Sequence, residues 1–346
     1  MLRIGINGLG RIGRSILRSN LIKDFFEVVA INDINPDIDN LAYTLNYDSL
    51  YGPLEEPFKS KKGELLRKDT PPLKIFHYDN IADVPWEESR IDFLIDSSGV
   101  KKNVSSSRDL LNQNKVSKIF ITHCPEEVDF TMVLGANEEE FDQKKHNLIS
   151  TSICDATALA PVLKDLDNKY GINSGSITTS HPWLSYQNLM DGPSSSWSVP
   201  GEIFHHYALG RSVIGNIIPK PTSAVSATCK VLKNLTEEDI ISFSYRVPTA
   251  IVGSADVSLN LKNKTSTEEV IEYFNELEKN QKFKIYKNNI EPLISLDFLK
   301  ADYSSVVDHR WTEVIKGNFL KIVLWYDNEW GYSNRVLDQL KFVEKS

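Results

Sequence analysis

The chain opens with the short apolar run Leu2-Arg3-Ile4-Gly5-Ile6, the pattern of a buried strand, which leads directly into Asn7-Gly8-Leu9-Gly10-Arg11-Ile12-Gly13 and a helical spacing over residues 14–19. Further apolar runs follow at 28–32, 93–96, 118–121 and 131–134, separated by polar and helical segments such as 107–112. Strands that are apolar throughout and alternate with helices predict a mostly parallel sheet covered on both faces.

From about residue 150 the period changes. Val257, Leu259 and Leu261 alternate with Asp256, Ser258 and Asn260, and Leu320, Ile322 and Leu324 alternate with Lys321, Val323 and Trp325. That is the pattern of half-exposed antiparallel strands. Between them, Ser266 and Glu269 form a capping box ahead of Val270, Phe274 and Leu277, which share one helical face and should cover the sheet. The expected fold is α/β: a Rossmann-type dinucleotide-binding domain over 1–152, then an α+β catalytic domain with a mostly antiparallel sheet over 153–332. A chain of 346 residues suits two domains.

Composition narrows the function. Lys and Arg total 39 against 47 Asp and Glu, a net charge of −8 with no dense basic cluster, which argues against nucleic acid as a main partner. No apolar run approaches the roughly 18 residues of a membrane helix, and no secretory pattern follows Met1, so a cytoplasmic location without membrane attachment is expected. Cys124, Cys154 and Cys229 are an odd set without metal-ligand spacing. They predict thiols in a reducing compartment, with no disulfide framework and no metal.

Gly8, Gly10 and Gly13 between strand and helix fit a dinucleotide fingerprint, in which glycines permit a tight turn, approach to a pyrophosphate and close helix packing. Such turns also serve packing alone. Asp33, however, ends the second apolar run 20 residues beyond Gly13, where an acid meets the adenosine ribose. It would repel a 2′-phosphate, and no arginine follows in Asp33-Ile34-Asn35-Pro36-Asp37, so the expected cofactor is NAD rather than NADP. Asp96-Ser97-Ser98-Gly99 and Thr122 follow strand ends, where ligands bind such sheets; their hydroxyls serve equally as helix caps.

Cys154 stands at the domain junction, at the start of a helix containing Val162, Leu163 and Leu166. A helix dipole there favours thiolate, and the neighbouring Asp155 opposes it. His181 ends a strand-like run in Thr178-Thr179-Ser180-His181-Pro182-Trp183, and a Cys/His pair is the minimal unit of thiol catalysis.

Several ordered stretches now carry a family resemblance: Ile4-Gly5-Ile6-Asn7-Gly8, Ala30-Ile31-Asn32-Asp33, Asn46-Tyr47-Asp48-Ser49, Asp191-Gly192-Pro193, Asn216-Ile217-Ile218-Pro219, Arg246-Val247-Pro248-Thr249 and the segment from Trp325 to Arg335. Over nearly its whole length the chain resembles the phosphorylating glyceraldehyde-3-phosphate dehydrogenase family. The resemblance implies Cys154 as nucleophile and His181 as its base. It implies Asn328 at the nicotinamide carboxamide, Asp33 at the adenosine ribose, and Arg11, Ile12 and Thr122 around the rest of NAD. It further implies a homotetramer, a small-molecule aldehyde substrate, and a last helix (333–346) that completes the NAD domain.

The departures concern anion recognition. Where the family has Ser-Cys-Thr-Thr-Asn-Cys, this chain has Ile153-Cys154-Asp155-Ala156-Thr157-Ala158; Leu184 and Tyr186 replace two threonines, and the inner-phosphate pair is Thr222-Ser223. Arg211 and Arg246 are retained as substrate-binding candidates, with Asp155 either paired to one of them or left to oppose phosphate. The loop 194–215 is longer than the family's and adds Phe204, His205, His206 and Tyr207, as a substrate contact or an altered subunit contact. The expected function is NAD-dependent oxidation of an aldehyde other than glyceraldehyde 3-phosphate; the alternatives are the ordinary phosphorylating reaction and a silent NAD-binding regulator.

Overall fold

The structure, a computed structural model, describes residues 1–68, 70–194 and 206–346; Phe204 and His205 lie outside them. The chain forms two compact units, one of Met1–Met132, Phe141–Ser152 and Val336–Ser346, the other of Val133–Glu140 and Ile153–Arg335.

The first unit holds β1 (Arg3–Asn7), α1 (Arg11–Lys23), β2 (Glu27–Asn32), α2 (Ile38–Asn46), β3 (Lys59–Lys61), β4 (Glu64–Leu66), β5 (Leu73–Phe76), β6 (Phe93–Asp96), α3 (Lys102–Asn112), β7 (Lys118–Ile121), β8 (Phe130–Thr131) and β9 (Leu148–Ser150). They form one sheet in the order β3-β4-β5-β2-β1-β6-β7-β9-β8, parallel except at β3 and β4. The apolar runs sit at its centre because helices cover parallel strands on both faces. Sheet order reverses at β1, between β2 and β6, and a ligand crevice forms outside the carboxyl ends of strands at such a point. There Asn7 donates to Asp96 Oδ1 (2.9 Å) and accepts from Asn32 (2.8 Å), tying three strand ends together.

The run 131–134 is a strand only to Thr131. Asn137 Oδ1 takes the Val133 N–H (2.9 Å), and Gly135 turns the chain with φ +85°. At the β1–α1 turn, Gly8 has φ +90°, and a Cβ on Gly13 would lie 2.0 Å from Gly8 O. Only glycine serves at either position.

The second unit contains α4 (Cys154–Tyr170), β10 (Ile172–Pro182), β11 (Ile218–Lys220), α5 (Ala224–Cys229), β12 (Ile240–Val247), β13 (Gly253–Leu261), α6 (Thr267–Asn280), β14 (Tyr286–Asn289), β15 (Ser305–Asp308), β16 (Glu313–Ile315) and β17 (Phe319–Tyr326); α7 (Trp330–Lys345) begins here and ends in the first unit. Its sheet runs β11-β12-β10-β13-β17-β15-β14, with β16 also on β17. The pairs β10–β12 and β14–β15 are parallel and the others antiparallel, so the sheet is mixed with antiparallel pairing predominant. Val257, Leu259, Leu261, Leu320, Ile322 and Leu324 are all buried, as their alternation requires. Both halves of the Ser266/Glu269 capping box form, and α6 buries Val270 and Phe274, with Leu277 half-buried. Among the described residues no helix is long and apolar enough to cross a membrane.

Gly13→Ala forces a Cβ against a backbone oxygen. Overpacking of this kind destabilises by about 1–3 kcal/mol, and here it also distorts the turn expected to receive the pyrophosphate. Denaturant unfolding should show that loss, and calorimetric titration should show NAD affinity reduced by about tenfold or more. Native affinity in the variant would refute the role of this turn.

Candidate active site

Two backbone features deliver Cys154. Ser152 adopts left-handed backbone (φ 61°), then Ile153 is extended and its carbonyl accepts the Thr157 N–H (2.9 Å), so α4 begins at the cysteine. His181 comes from the end of β10, and the β10–β12 register sets Arg246 opposite it. Cys154 Sγ lies 3.6 Å from His181 Nε2 and donates toward Asp155 Oδ1 at 3.7 Å, while Asp155 Oδ1 is 3.9 Å from Nε2. Tyr326 closes the cluster by donating to Asp155 Oδ1 (2.7 Å).

The imidazole is constrained from its far side. His181 Nδ1 is 2.8 Å from the Pro182 carbonyl and 2.5 Å from Arg246 Nη1, which itself donates to that carbonyl at 2.8 Å. A guanidinium has no acceptor to offer. An unprotonated Nδ1 therefore accepts from Arg246 and leaves Nε2–H facing sulfur; a protonated Nδ1 donates to Pro182 O and leaves a basic Nε2 there. Both are neutral imidazoles, and burial, with Arg246 acting in the same direction against the opposing Asp155 carboxylate and Pro182 carbonyl, holds the His181 pKa below its ordinary value.

The thiol moves the other way. Cys154 keeps some exposed surface, yet desolvation of its sulfur followed by the Asp155 carboxylate pushes its pKa well up, against the Asp155 N–H and Arg246, which favour thiolate. The expected gain from the helix start is therefore outweighed, and both shifts disfavour a thiolate–imidazolium pair. Cys229 is the last residue of α5, and burial raises its thiol to about 11.

The other expected residues are placed as follows. Asp155 meets Tyr326 and His181 instead of pairing with Arg211 or Arg246. Arg211 is largely exposed and bonds Asp191 through Nε (2.8 Å). Thr222 Oγ1 accepts the Ala224 N–H (3.1 Å), and Ser223 stands at the start of α5, its carbonyl accepting the Ala227 N–H (2.9 Å) and its side chain making no cap. Leu184 and Tyr186 are half-buried, Leu184 N–H donating to Gln187 (3.0 Å). Asn328 is buried and accepts the N–H of Val252 (3.1 Å), which is held at φ 66°. Tyr207 is exposed.

In the first unit, Asp33 Oδ2 accepts the Leu9 N–H (2.7 Å) and Oδ1 that of Asn35 (2.9 Å), which ties the acid to the glycine turn. Arg11 pairs with Asp48 (2.6 Å), Ile12 is half-buried, and Thr122 Oγ1 donates to Asp96 O (3.2 Å). These residues fit a dinucleotide. The first turn of α1 has no side-chain cap, a Cβ at Gly10 would meet open space, and one at Gly8 would strike Ser98 backbone at 2.7 Å.

Two residues escaped the sequence reading. Tyr326 is the last inward position of the β17 alternation, a hydroxyl ending an apolar row, and Lys220 shares the inward period of β11 with Ile218. Burial and then Arg246 lower the Lys220 ammonium to about 8, with Asp155 and Cys154 opposing. Ligand atoms of Cys154, Asp155 and His181 lie within 4.8 Å of one another, but these two cations oppose a metal ion there.

A dinucleotide fold and a thiol–imidazole pair on a second unit define the class of NAD-dependent oxidoreductases that act on aldehydes. Residues 2–104 match the family described as glyceraldehyde 3-phosphate dehydrogenase, NAD binding domain, and residues 153–328 match its C-terminal domain. Glyceraldehyde-3-phosphate dehydrogenase 1 of Bacillus cereus is 33% identical over 343 residues, covering 99% of this chain and 98% of its own. The cytosolic enzyme of Gracilaria gracilis is 33% identical with the same coverage, and glyceraldehyde-3-phosphate dehydrogenase 3 of Kluyveromyces marxianus is 34% identical over the full length of both chains. The chain belongs to the glyceraldehyde-3-phosphate dehydrogenase family.

Asp155→Asn keeps the shape and removes the charge. The Cys154 pKa should fall, and each unit of that fall gives about tenfold more thiolate near neutral pH. Iodoacetamide should therefore alkylate Cys154 severalfold faster, as read by peptide mapping. An unchanged rate would mean that the carboxylate does not suppress the thiolate.

Proposed function

We propose that the chain oxidises an aldehyde on Cys154 through a thiohemiacetal and a thioester, and that this aldehyde is other than glyceraldehyde 3-phosphate. The observation that carries the reading is the Asp155 carboxylate, 3.7 Å from the sulfur, with no threonine hydroxyl in its place. An anion there disfavours phosphate both as a substrate group and as attacker of a thioester.

The thiol adds to the aldehyde carbon: an S–C bond forms, and the thiol proton passes by way of His181 Nε2 to the new hydroxyl. On oxidation that hydroxyl proton leaves to Nε2, and a thioester remains on Cys154. NAD, when bound, supplies the hydride acceptor; Gly8, Gly10, Arg11, Ile12, Gly13, Asp33, Thr122 and Asn328 are the residues assigned to hold it. Nε2 acts as base in the tautomer that donates Nδ1–H to Pro182 O. In this reading Asp155 orients a water that discharges the thioester to a free acid. The family supports a homotetramer, and the cytosolic Gracilaria gracilis relative supports a cytoplasmic location.

One observation favours a second reading, the ordinary phosphorylating reaction: Arg246 and Lys220 place two cations close to Cys154. A panel of aldehydes assayed for NADH formation with and without inorganic phosphate separates the two. Turnover of non-phosphorylated aldehydes without phosphate, lost in Cys154→Ser, is expected; efficient oxidation of glyceraldehyde 3-phosphate only when phosphate is present would establish the second reading instead.

The acid side of the pH profile tests His181. A base must be neutral, and its pKa is lowered, so activity should persist below about 6.5, the ordinary histidine value. Arg246→Met removes a cation that lowers this pKa, and the acid limb of kcat/KM should move to higher pH. A limb that stays fixed while kcat/KM falls would confine Arg246 to substrate binding.

A further inference from the structure

Strand register fixes the face on which Lys220 lies. Arg246 of β12 stands opposite His181 of β10 on one side and Ile218 of β11 on the other; two residues along, Ser244 stands opposite Thr179 and Lys220. Opposed residues project from the same side of a sheet, as do residues two apart on one strand. Lys220, Arg246 and His181 therefore share a face. Burial agrees: Ile218 and Arg246 are buried, Lys220 is half-buried, and the intervening Pro219 is exposed.

The charged and titratable groups toward Lys220 are Cys154 and Asp155 from α4, His181 from β10, Arg246 from β12, and Tyr326 from β17, which is bonded to Asp155. The short turn Tyr207–Gly210, which packs on β11, adds the exposed Tyr207 and then Arg211, already held by Asp191. Asp155 is engaged by Tyr326 at 2.7 Å, and among the described residues no carboxylate forms an ion pair with Lys220. Arg246 Nε is likewise enclosed without a partner. Two cations thus share a partly desolvated face on which, among the described residues, Asp155 is the carboxylate acting on Lys220, its Oδ1 already taken by Tyr326. An anion entering this face would meet both cations.

We propose that Lys220 is a specificity-determining residue whose ammonium, with Arg246 beside it, holds an oxyanion, carboxylate or phosphate, against Cys154. The proposal rests on the reading above only in taking Cys154 as the nucleophile. The oxyanion has two sources to distinguish: a group on the aldehyde itself, which accords with the first reading above, or a free acceptor that discharges the thioester, which accords with the second.

Alkylation of Cys154 by anionic iodoacetate and by neutral iodoacetamide tests this without knowledge of the substrate. In both reactions sulfur bonds to carbon and iodide leaves; both consume thiolate, so thiol ionisation cancels in the ratio of rates. Near neutral pH, Lys220→Met should lower the iodoacetate-to-iodoacetamide ratio by about fivefold or more, and Lys220→Arg should preserve it. In the native protein the ratio should fall as pH rises through about 8, where the ammonium loses its proton, and this fall should vanish in Lys220→Met. Inorganic phosphate should slow iodoacetate in the native protein and not in the variant. Lys220→Gln replaces the Met variant if circular dichroism shows the latter unfolded.

Steady-state rates identify the source. A loss of kcat/KM in Lys220→Met that is confined to a carboxylate-bearing aldehyde, relative to its neutral analogue, assigns the oxyanion to the substrate. An equal loss on both aldehydes, with loss of any response to inorganic phosphate, assigns it to the acceptor. Equal alkylation ratios in native and variant proteins overturn the proposal even if aldehydes are oxidised. A shifted ratio with no aldehyde turned over upholds Lys220 and refutes the oxidation reading instead.

Discussion

The catalytic face depends on one constraint, the parallel pairing of β10 with β12 in the register that sets His181 against Arg246. A slip of one residue would send every side chain of one strand to the opposite face, separating the imidazole from the guanidinium. The antiparallel pairing of β11 extends the same rung to Ile218 and sets Lys220 opposite Ser244, two residues along on the same face. Thr179 and Ser244, hydrogen-bonded at 2.8 Å there, pin the register from within the buried face.

On this frame the electrostatics set opposing tendencies. Burial disfavours charge on sulfur and imidazole alike; Asp155 then stabilises imidazolium and destabilises thiolate, while Arg246 does the reverse. Both shifts act against a thiolate–imidazolium pair, and Asp155 and Arg246 each oppose on one partner what they favour on the other. Tyr326 matters because its hydroxyl fixes the carboxylate oxygen that faces both partners.

Much of the first unit was legible because its strands are apolar throughout and its glycine turn has a local steric cause: Gly8 and Gly13 meet backbone atoms that admit no Cβ. The short strands β3, β4 and β5 carried no comparable signal, since three- and four-residue strands are too brief for period 2 to emerge. In the second unit the alternation of β13 and β17 and the Ser266 capping box were explicit. The end of the run 131–134 was not, because it depends on an asparagine side chain four residues from the Val133 amide that it caps.

The sequence by itself determined the family, the two-domain class, and Cys154, His181 and Asp33 as the residues to examine, because each lies at a strand end or helix start that local pattern exposes. Only the tertiary structure decided which charges face one another. It gave Asp155 to Tyr326, 171 residues away, and brought Lys220 onto the face of Arg246. Such pairings follow from strand order and register, which join segments distant along the chain and leave no periodic trace within any one of them.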